Sequence, residues 1–361
     1  MRREPIRIGV IGVGFGAKVQ VPGFQDEGFK VVAVCARRRE SAEEAAKNLS
    51  IPQVYTDYRD MLAQPDLDAV SIVTPTVLHH EITMAALETG KHVLCEKPFA
   101  MDQQQAHEML QKAQQTGLTA MVSHEFRFAP ARAYVKELLR EGYIGELRNA
   151  SITLALGGGR NRTREAGPLP WRRFYSQGGG DLAGIGSHYI DCLRDWFGEI
   201  KEVCGRAFAD GKVAKTNSDA SGGDSDDSFS FLVTFAKGGW ASMSANFAAP
   251  VASGVRIEIH GTDGTLVTPQ PGGNPPPDGI VLAAKRGDKQ LRELPIPDRF
   301  RLLPDDRDAR LSAFRVLAQR FRQGIPEGTS PEPNFYDGYR CQQIIDAVME
   351  SGQSERWIEI R

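Results

Sequence analysis

Over the first third of the chain, short apolar runs alternate with helix-length stretches that are polar on one side. The runs are Ile6–Ile11, Val31–Cys35, Ala69–Val73, the stretch from Lys91 whose apolar part stops at Lys97, and Thr119–Ser123. Parallel strands buried on both faces have this composition. Between them the pattern predicts helices over Ala42–Leu49, Tyr58–Leu62, His79–Thr89 and Gln103–Gln115. Ser41-Ala42-Glu43-Glu44 reads as a capping box that starts the first of these, and Gly90 as the residue that closes the third. Strand–helix alternation of this kind predicts a doubly wound, mostly parallel sheet. Beyond residue 124 the period changes. A helix over Ala131–Glu141 and a strand over Asn149–Leu154 are followed by two-residue alternation in Phe229-Phe231-Val233-Phe235, Ala241-Met243-Ala245-Phe247 and Val255-Ile257-Ile259. Such alternation predicts an open antiparallel sheet with one covered face.

A chain of 361 residues is long enough for two cores, so two domains are expected, 1–123 and 124–361. With 41% hydrophobic and 25% charged residues and a formal net charge of −2, nothing drives the chain toward nucleic acid or anionic membranes. Small molecules are the expected ligands. No apolar run reaches membrane-spanning length, and Met1–Pro5 leads into a strand without a signal-peptide core, so a cytoplasmic protein is expected. Five cysteines without a C-x-x-C pair read as reduced thiols, with no metal site. Thr216–Asp227 and Thr268–Gly279 read as long loops. Asp224, Asp226 and Asp227 match no ligand spacing and read as part of a solvated loop rather than a cation site.

The first strand runs into Gly12-Val13-Gly14-Phe15-Gly16-Ala17, a G-x-G-x-x-A dinucleotide fingerprint. Gly12 permits the tight turn, Gly14 lets the backbone approach a pyrophosphate, and Ala17 lets helix pack on strand. The pyrophosphate would lie at a helix N-terminus. The first domain therefore reads as a Rossmann domain. At the end of the second strand an NAD site commonly carries an acid, but this chain has Ala36-Arg37-Arg38-Arg39. Without the acid a 2′-phosphate is not repelled, and guanidinium groups can bind it, which favours NADP(H) over NAD(H). The other reading of the arginines is an exposed loop. Thr74-Pro75-Thr76 and His79 follow the third apolar run and are expected to wall the nicotinamide ribose, His79 also being readable as a capping or packing residue. Lys97 stands at the carboxyl end of a central strand, where ligands gather in open α/β sheets, with Glu96 beside it to tune its charge and Pro98 to stiffen the turn.

Gly12-x-Gly14-x-x-Ala17, Thr74-Pro75 with His79, and above all Gly90-Lys91-His92-Val93-Leu94-Cys95-Glu96-Lys97-Pro98 closely resemble the Gfo/Idh/MocA oxidoreductases, named for glucose-fructose oxidoreductase and inositol dehydrogenase. The resemblance covers nearly the whole chain. It implies a Rossmann domain followed by an α+β domain with a large open, mainly antiparallel sheet that pairs subunits into a homodimer or homotetramer. His124-Glu125-Phe126-Arg127 matches the crossing between domains, which implies that Arg127 meets cofactor and substrate. Many relatives carry asparagine where this chain has Glu125, either a negative charge on the substrate side or half of a structural salt bridge. Trp171-Arg172 and the stretch Gly178–Asp191 match the family's substrate-facing segment, with His188 in the histidine position and Asp191 as its structural acid. Gly184 stands where the family has an aspartate one helical turn before that histidine.

The resemblance implies an NAD(P)-dependent dehydrogenase or reductase acting on the CH–OH groups of a sugar, cyclitol or related polyol. Lys97 would hold the reacting oxygen and His188 would move the proton. The departure at Gly184 leaves two other readings: a non-catalytic nucleotide-binding sensor or scaffold of the same fold, and a reductase of a non-sugar carbonyl compound.

Overall fold

The computed structural model describes residues 5–156, 171–209, 211–214, 225–249, 251–301, 305 and 307–361. The chain forms two compact units, Met1–Glu125 with Asp305–Gln342, and Phe126–Pro304 with Gln343–Arg361. In place of the single expected boundary after residue 123, the first unit takes back a later segment of the chain.

In the first unit β1 (Arg7–Ile11), β2 (Lys30–Cys35), β3 (Gln53–Tyr55), β4 (Ala69–Ile72), β5 (His92–Cys95) and β6 (Ala120–Val122) form one parallel sheet in the order β3-β2-β1-β4-β5-β6. The order reverses between β1 and β4, the crevice where doubly wound sheets take ligands. Backbone bonds lace neighbouring strand exits together: Gly12 N–H to Cys35 O at 2.8 Å, Val73 to Ile11 at 2.7 Å, Glu96 to Ile72 at 2.9 Å and Ser123 to Cys95 at 2.8 Å. Residues just past each strand thus share one rim. The connecting helices are α1 (Val21–Asp26), α2 (Arg39–Leu49), α3 (Tyr58–Leu62), α4 (His79–Glu88) and α5 (Gln103–Thr116). Asp57 and Asp102 cap α3 and α5 through backbone N–H groups, and left-handed Gly117 ends α5. The capping box expected at Ser41 is absent. Arg38 is extended and α2 already begins at Arg39, which pairs with Glu43 at 3.2 Å along the helix, so Ser41 lies inside the first turn.

In the second unit α6 (Pro130–Arg140), β7 (Leu147–Ala155) and α7 (Ser187–Phe197) precede β8 (Ile200–Ala209), β9 (Lys212–Val213), β10 (Ser228–Phe235), β11 (Trp240–Asn246), β12 (Gly254–Gly261), β13 (Gly264–Gln270), β14 (Leu282–Lys285) and β15 (Arg292–Glu293). With β16 (Ile358–Glu359) they order as β15-β14-β13-β12-β7-β11-β10-β8-β16, β9 adding to β8. Every pairing is antiparallel except β7 with β11. The two-residue pattern has its expected outcome: Phe229, Phe231, Val233 and Phe235 are buried, as are Ala241, Met243, Ala245, Val255, Ile257 and Ile259. The other face shows Leu232 at 41% and Trp240 at 45% exposure. Thr268 belongs to β13, so the loop expected from that residue starts only after Gln270. Asp224 lies outside the described residues, while Asp226 and Asp227 are buried and not part of a solvated loop.

The segment that returns to the first unit carries α8 (Leu311–Glu327) and the start of α9 (Phe335–Ser354). Phe314 meets Phe24 edge-on at 5.2 Å, and Phe321 stacks on Phe29 at 6.1 Å. Gly23 of α1 lies so close that a β-carbon there would sit 2.5 Å from the Phe314 ring. Among the described residues no helix is long and apolar enough to cross a membrane, and no cluster of metal-ligating side chains occurs.

Candidate functional site

The glycine loop opens the rim. Gly12 has φ +111°, and a β-carbon on it would lie 2.3 Å from the Val73 carbonyl oxygen, so the turn demands glycine. Gly14 is exposed, and a β-carbon there would meet nothing within 4 Å. A tight turn beside open backbone is the shape a pyrophosphate needs, so the loop fits a dinucleotide. The close helix-to-strand approach is made by Gly16, where a β-carbon would stand 2.9 Å from Val10 Cγ1. Ala17, expected in that role, is only partly buried because a wide helical turn over Gly16–Gln20 swings it outward. Phe15 lies under the Arg310 guanidinium, 4.9 Å from the ring centroid, and Asp308 holds that arginine at 2.6 Å.

At the exit of β2 Ala36 is half-buried and Arg37 and Arg38 are exposed, neither in an ion pair among the described residues. Past β4 the hydroxyls of Thr74 and Thr76 are buried and have no hydrogen-bond partner among the described residues. Pro75 precedes the short turn Thr76–Leu78. His79 departs from the expected cofactor contact. Its Nδ1 lies 2.9 Å from Pro98 O and its Nε2 3.0 Å from Thr74 O, and burial pushes its pKa down. The ring ties the exit of β4 to the turn after β5, which is the packing role.

Lys97 is half-buried at the exit of β5, and its peptide bond to Pro98 is cis. The adjoining carboxylate is fixed from both ends: Gln20 Nε2 donates to Glu96 Oε1 at 2.7 Å, and the Lys97 backbone N–H donates to Glu96 Oε2 at 3.2 Å. The Ser71 hydroxyl donates to Gln20 Oε1 and so orients the amide. Burial raises the Glu96 pKa while the Lys97 charge opposes the rise. Glu125, past β6, is 3% exposed, and its Oε2 has no hydrogen-bond partner among the described residues. Burial above all, and then the Glu96 charge, push its pKa up to about 8, with Lys97 and Arg310 pulling the other way. This environment disfavours the negative charge expected at that position.

The second unit holds the other expected residues. The Arg127 guanidinium is bound by both oxygens of Asp191, each at 2.6 Å, and by Asp195 at 3.1 Å, all buried. It was expected to meet cofactor and substrate. Its charge is instead committed to two carboxylates on α7, with Lys136 as a further partner of Asp195, and Asp191 is the structural acid it was expected to be. His188, also on α7, is buried with its ring flat on Phe126, centroids 3.6 Å apart and planes at 5°. The Arg132 guanidinium also lies over the Phe126 ring, 5.0 Å from its centroid. Arg132 is 1% exposed, lies 4.4 Å from the Tyr189 ring, and donates to Cys192 Sγ at 3.3 Å.

Before α7 comes a wide turn over Leu182–Gly186. Gly184 sits in it with ordinary φ, and a β-carbon there would meet nothing within 4 Å. Asp226 fastens this lead-in: its carboxylate accepts from Leu182 N–H at 2.7 Å and from Tyr175 Oη at 3.0 Å, and burial pushes its pKa up to about 7. Trp171 and Arg172 lie against the same segment. The Arg172 carbonyl accepts from Gly180 N–H at 3.1 Å and Ser225 Oγ at 2.9 Å, and the Arg172 side chain is exposed, its guanidinium 5.4 Å from the Trp171 ring.

Sequence reasoning missed Gln20, Arg310, Arg132 and Asp226 as parts of these arrangements. Gln20 left a signal, a polar residue between Val19 and Val21 in a run that had to be buried. Arg310 left none, since nothing local relates it to a loop almost 300 residues earlier.

A parallel sheet with a glycine cradle at its crevice and a lysine on the same rim defines an NAD-binding oxidoreductase of Rossmann type. Residues 6–124 match the description "Oxidoreductase family, NAD-binding Rossmann fold", and residues 133–267 match the GFO/IDH/MocA C-terminal domain. The chain belongs to the GFO/IDH/MocA family of oxidoreductases. It is 29% identical to levoglucosan dehydrogenase of Pseudarthrobacter phenanthrenivorans, over 99% of this chain and 98% of that one. It is 31% identical to D-glucoside 3-dehydrogenase of Escherichia coli, over 69% of this chain and 72% of that protein. A solved levoglucosan dehydrogenase in complex with NADH and levoglucosan superimposes with a TM-score of 0.87 at 27% identity, over 99% of both chains.

Proposed function

We propose that the protein moves hydride between a nicotinamide, NADP(H) in preference to NAD(H), and a secondary carbinol or carbonyl carbon of a sugar, cyclitol or related polyol. The observation that carries this reading is Lys97 at the exit of β5, on the rim that holds the glycine cradle, with Glu96 fixed beside it. The nicotinamide supplies the hydride chemistry when bound. Lys97 Nζ holds the reacting oxygen and stabilises charge as it develops there, and the His188 imidazole gives or takes the proton. Trp171 and the exposed Arg172 side chain orient the substrate. The relatives named for levoglucosan and D-glucosides support a sugar-like substrate. The missing acid at Ala36 and the two exposed arginines after it support a 2′-phosphate. The exposed row that includes Leu232 and Trp240 supports self-association through the second sheet into a homodimer or homotetramer.

The test begins with NADPH and NADH titrated by nicotinamide fluorescence, before and after Arg37 and Arg38 are both changed to Ala. NADPH affinity is expected to fall about tenfold, or roughly 1.4 kcal/mol, with NADH unaffected; equal or better NADH binding by the unaltered protein would overturn the cofactor preference. A screen over sugars, inositols and non-sugar carbonyls then sets the substrate class. Lys97→Ala is expected to lose most turnover and keep nucleotide binding. Undiminished turnover in that variant would remove Lys97 from the mechanism, and nucleotide binding with no turnover on any compound would favour the sensor.

A further inference from the structure

Glu125 is a carboxyl group with one oxygen, Oε2, left without a hydrogen-bond partner among the described residues, and it is 3% exposed. A buried carboxylate left this way is costly, whereas a carboxylic acid offers at that position one O–H donor and one carbonyl acceptor, the same pair that an amide offers. Its charged surroundings come from three directions. Glu96 and Lys97 face it from the exit of β5, Arg310 from the segment before α8, and His124 precedes it in the chain. Two buried carboxyl groups thus lie beside a half-buried lysine and a half-buried arginine, and Glu96 is the one held by Gln20 and by a backbone N–H. The proton therefore belongs on Glu125. Arg310 also covers Phe15 of the glycine loop, so this region adjoins the nucleotide cradle.

We propose that Glu125 is a ligand-binding residue that works as a neutral acid, its Oε2–H donating a hydrogen bond to an oxygen of the bound nicotinamide dinucleotide. This rests on the dinucleotide reading of the rim. When Glu125 ionises, the donor is lost and a negative charge is added beside an anionic ligand, so nucleotide affinity falls as the pH rises through about 8. In wild-type protein near that pH, binding draws a proton from solution.

The experiment titrates NADPH and NADH at pH 6.5 and pH 9 into wild type and Glu125→Gln, whose amide keeps one donor and one acceptor at every pH. Wild type is expected to lose affinity fivefold or more between the two pH values and the variant less than twofold. Calorimetry of wild type at pH 8 in two buffers of different ionisation enthalpy is expected to show net proton uptake on binding, which needs no variant to fold. Equal pH dependence in both proteins, weak binding by the folded variant at both pH values, or no proton uptake would each overturn the proposal. Failure of wild type to bind either nucleotide at either pH would overturn the dinucleotide reading instead. Thermal melting then tests the proton itself: wild type loses stability as the pH rises towards about 8 and the variant does not, so the variant's Tm minus that of wild type is expected to rise from pH 5 to pH 9, and a constant difference refutes a protonated Glu125.

Discussion

The imidazole of His188 lies flat on the ring of Phe126, 3.6 Å away and within 5° of parallel, and the Arg132 guanidinium lies 5.0 Å from the centre of that ring. A stack of this kind fixes the plane of the imidazole through ring contact alone. Phe126→Leu removes the flat surface while keeping an apolar side chain. We expect kcat to fall roughly 10²-fold with nucleotide affinity unchanged, and Phe126→Tyr to keep most activity. Steady-state kinetics on both variants checks this, and full activity in Phe126→Leu would show that the ring does not orient His188.

Arg127 is a test of stability. Its guanidinium is buried between Asp191 and Asp195, and Asp191→Asn removes the carboxylate that binds it twice. Leaving a buried cation short of its partner is expected to cost about 3 kcal/mol or more, read from denaturant unfolding. A loss under about 1 kcal/mol would mean that water takes the place of Asp191.

At Gly184 nothing stands in the way of a side chain, and the backbone angle is ordinary. Gly184→Asp is expected to fold with stability changed by about 1 kcal/mol or less. A carboxylate one turn before His188 favours the imidazolium, so the ionisation assigned to His188 in the pH–rate profile is expected to move to higher pH. An unmoved profile would show that the new carboxylate does not reach the imidazole.

Asp226 gives stability a pH dependence whose sign is fixed. Its pKa is raised on folding, from 3.8 to about 7, so its contribution is fully present below the lower value and is lost as the pH climbs to the upper one. Asp226→Asn has the same shape and does not titrate. The variant's Tm minus that of wild type is expected to grow between pH 4 and pH 7 and to level off above it. A difference independent of pH would place the ionisation elsewhere.

Much of this was open to reading along the chain, for a physical reason. Buried parallel strands such as β1 and β5 are apolar at every position after the first, and the strand over Phe229–Phe235 shows its two faces in every second residue. Gly12 was legible because a turn with φ +111° requires the smallest residue, and Gly14 because it stands at the fingerprint spacing from Gly12. Roles that depend on distant partners were not. Whether Gly16 or Ala17 packs on β1 turns on a wide helical turn that no periodicity records, and Arg127 looked like a ligand contact until Asp191 and Asp195 were seen around it. Asp226 read as a loop residue because polar neighbours surround it in sequence, although backbone and tyrosine donors surround it in space.

The return of Asp305–Gln342 to the first unit also bears on the order in which the protein can fold as it is made. When residue 125 has been synthesised every strand of the first sheet exists, yet Phe314 and Phe321, which cover Phe24 and Phe29, are still about 190 residues away, some 10 to 40 seconds at ordinary rates of synthesis. The hydroxyl of Ser330, which receives the N–H of Ala120, arrives later still. The second unit waits as well, since β16, which pairs with β8, follows α9 in the chain. Between the completion of β8 and the arrival of α8 the nascent chain carries an uncovered apolar surface on the first unit and, on the second, an edge of β8 still waiting for β16.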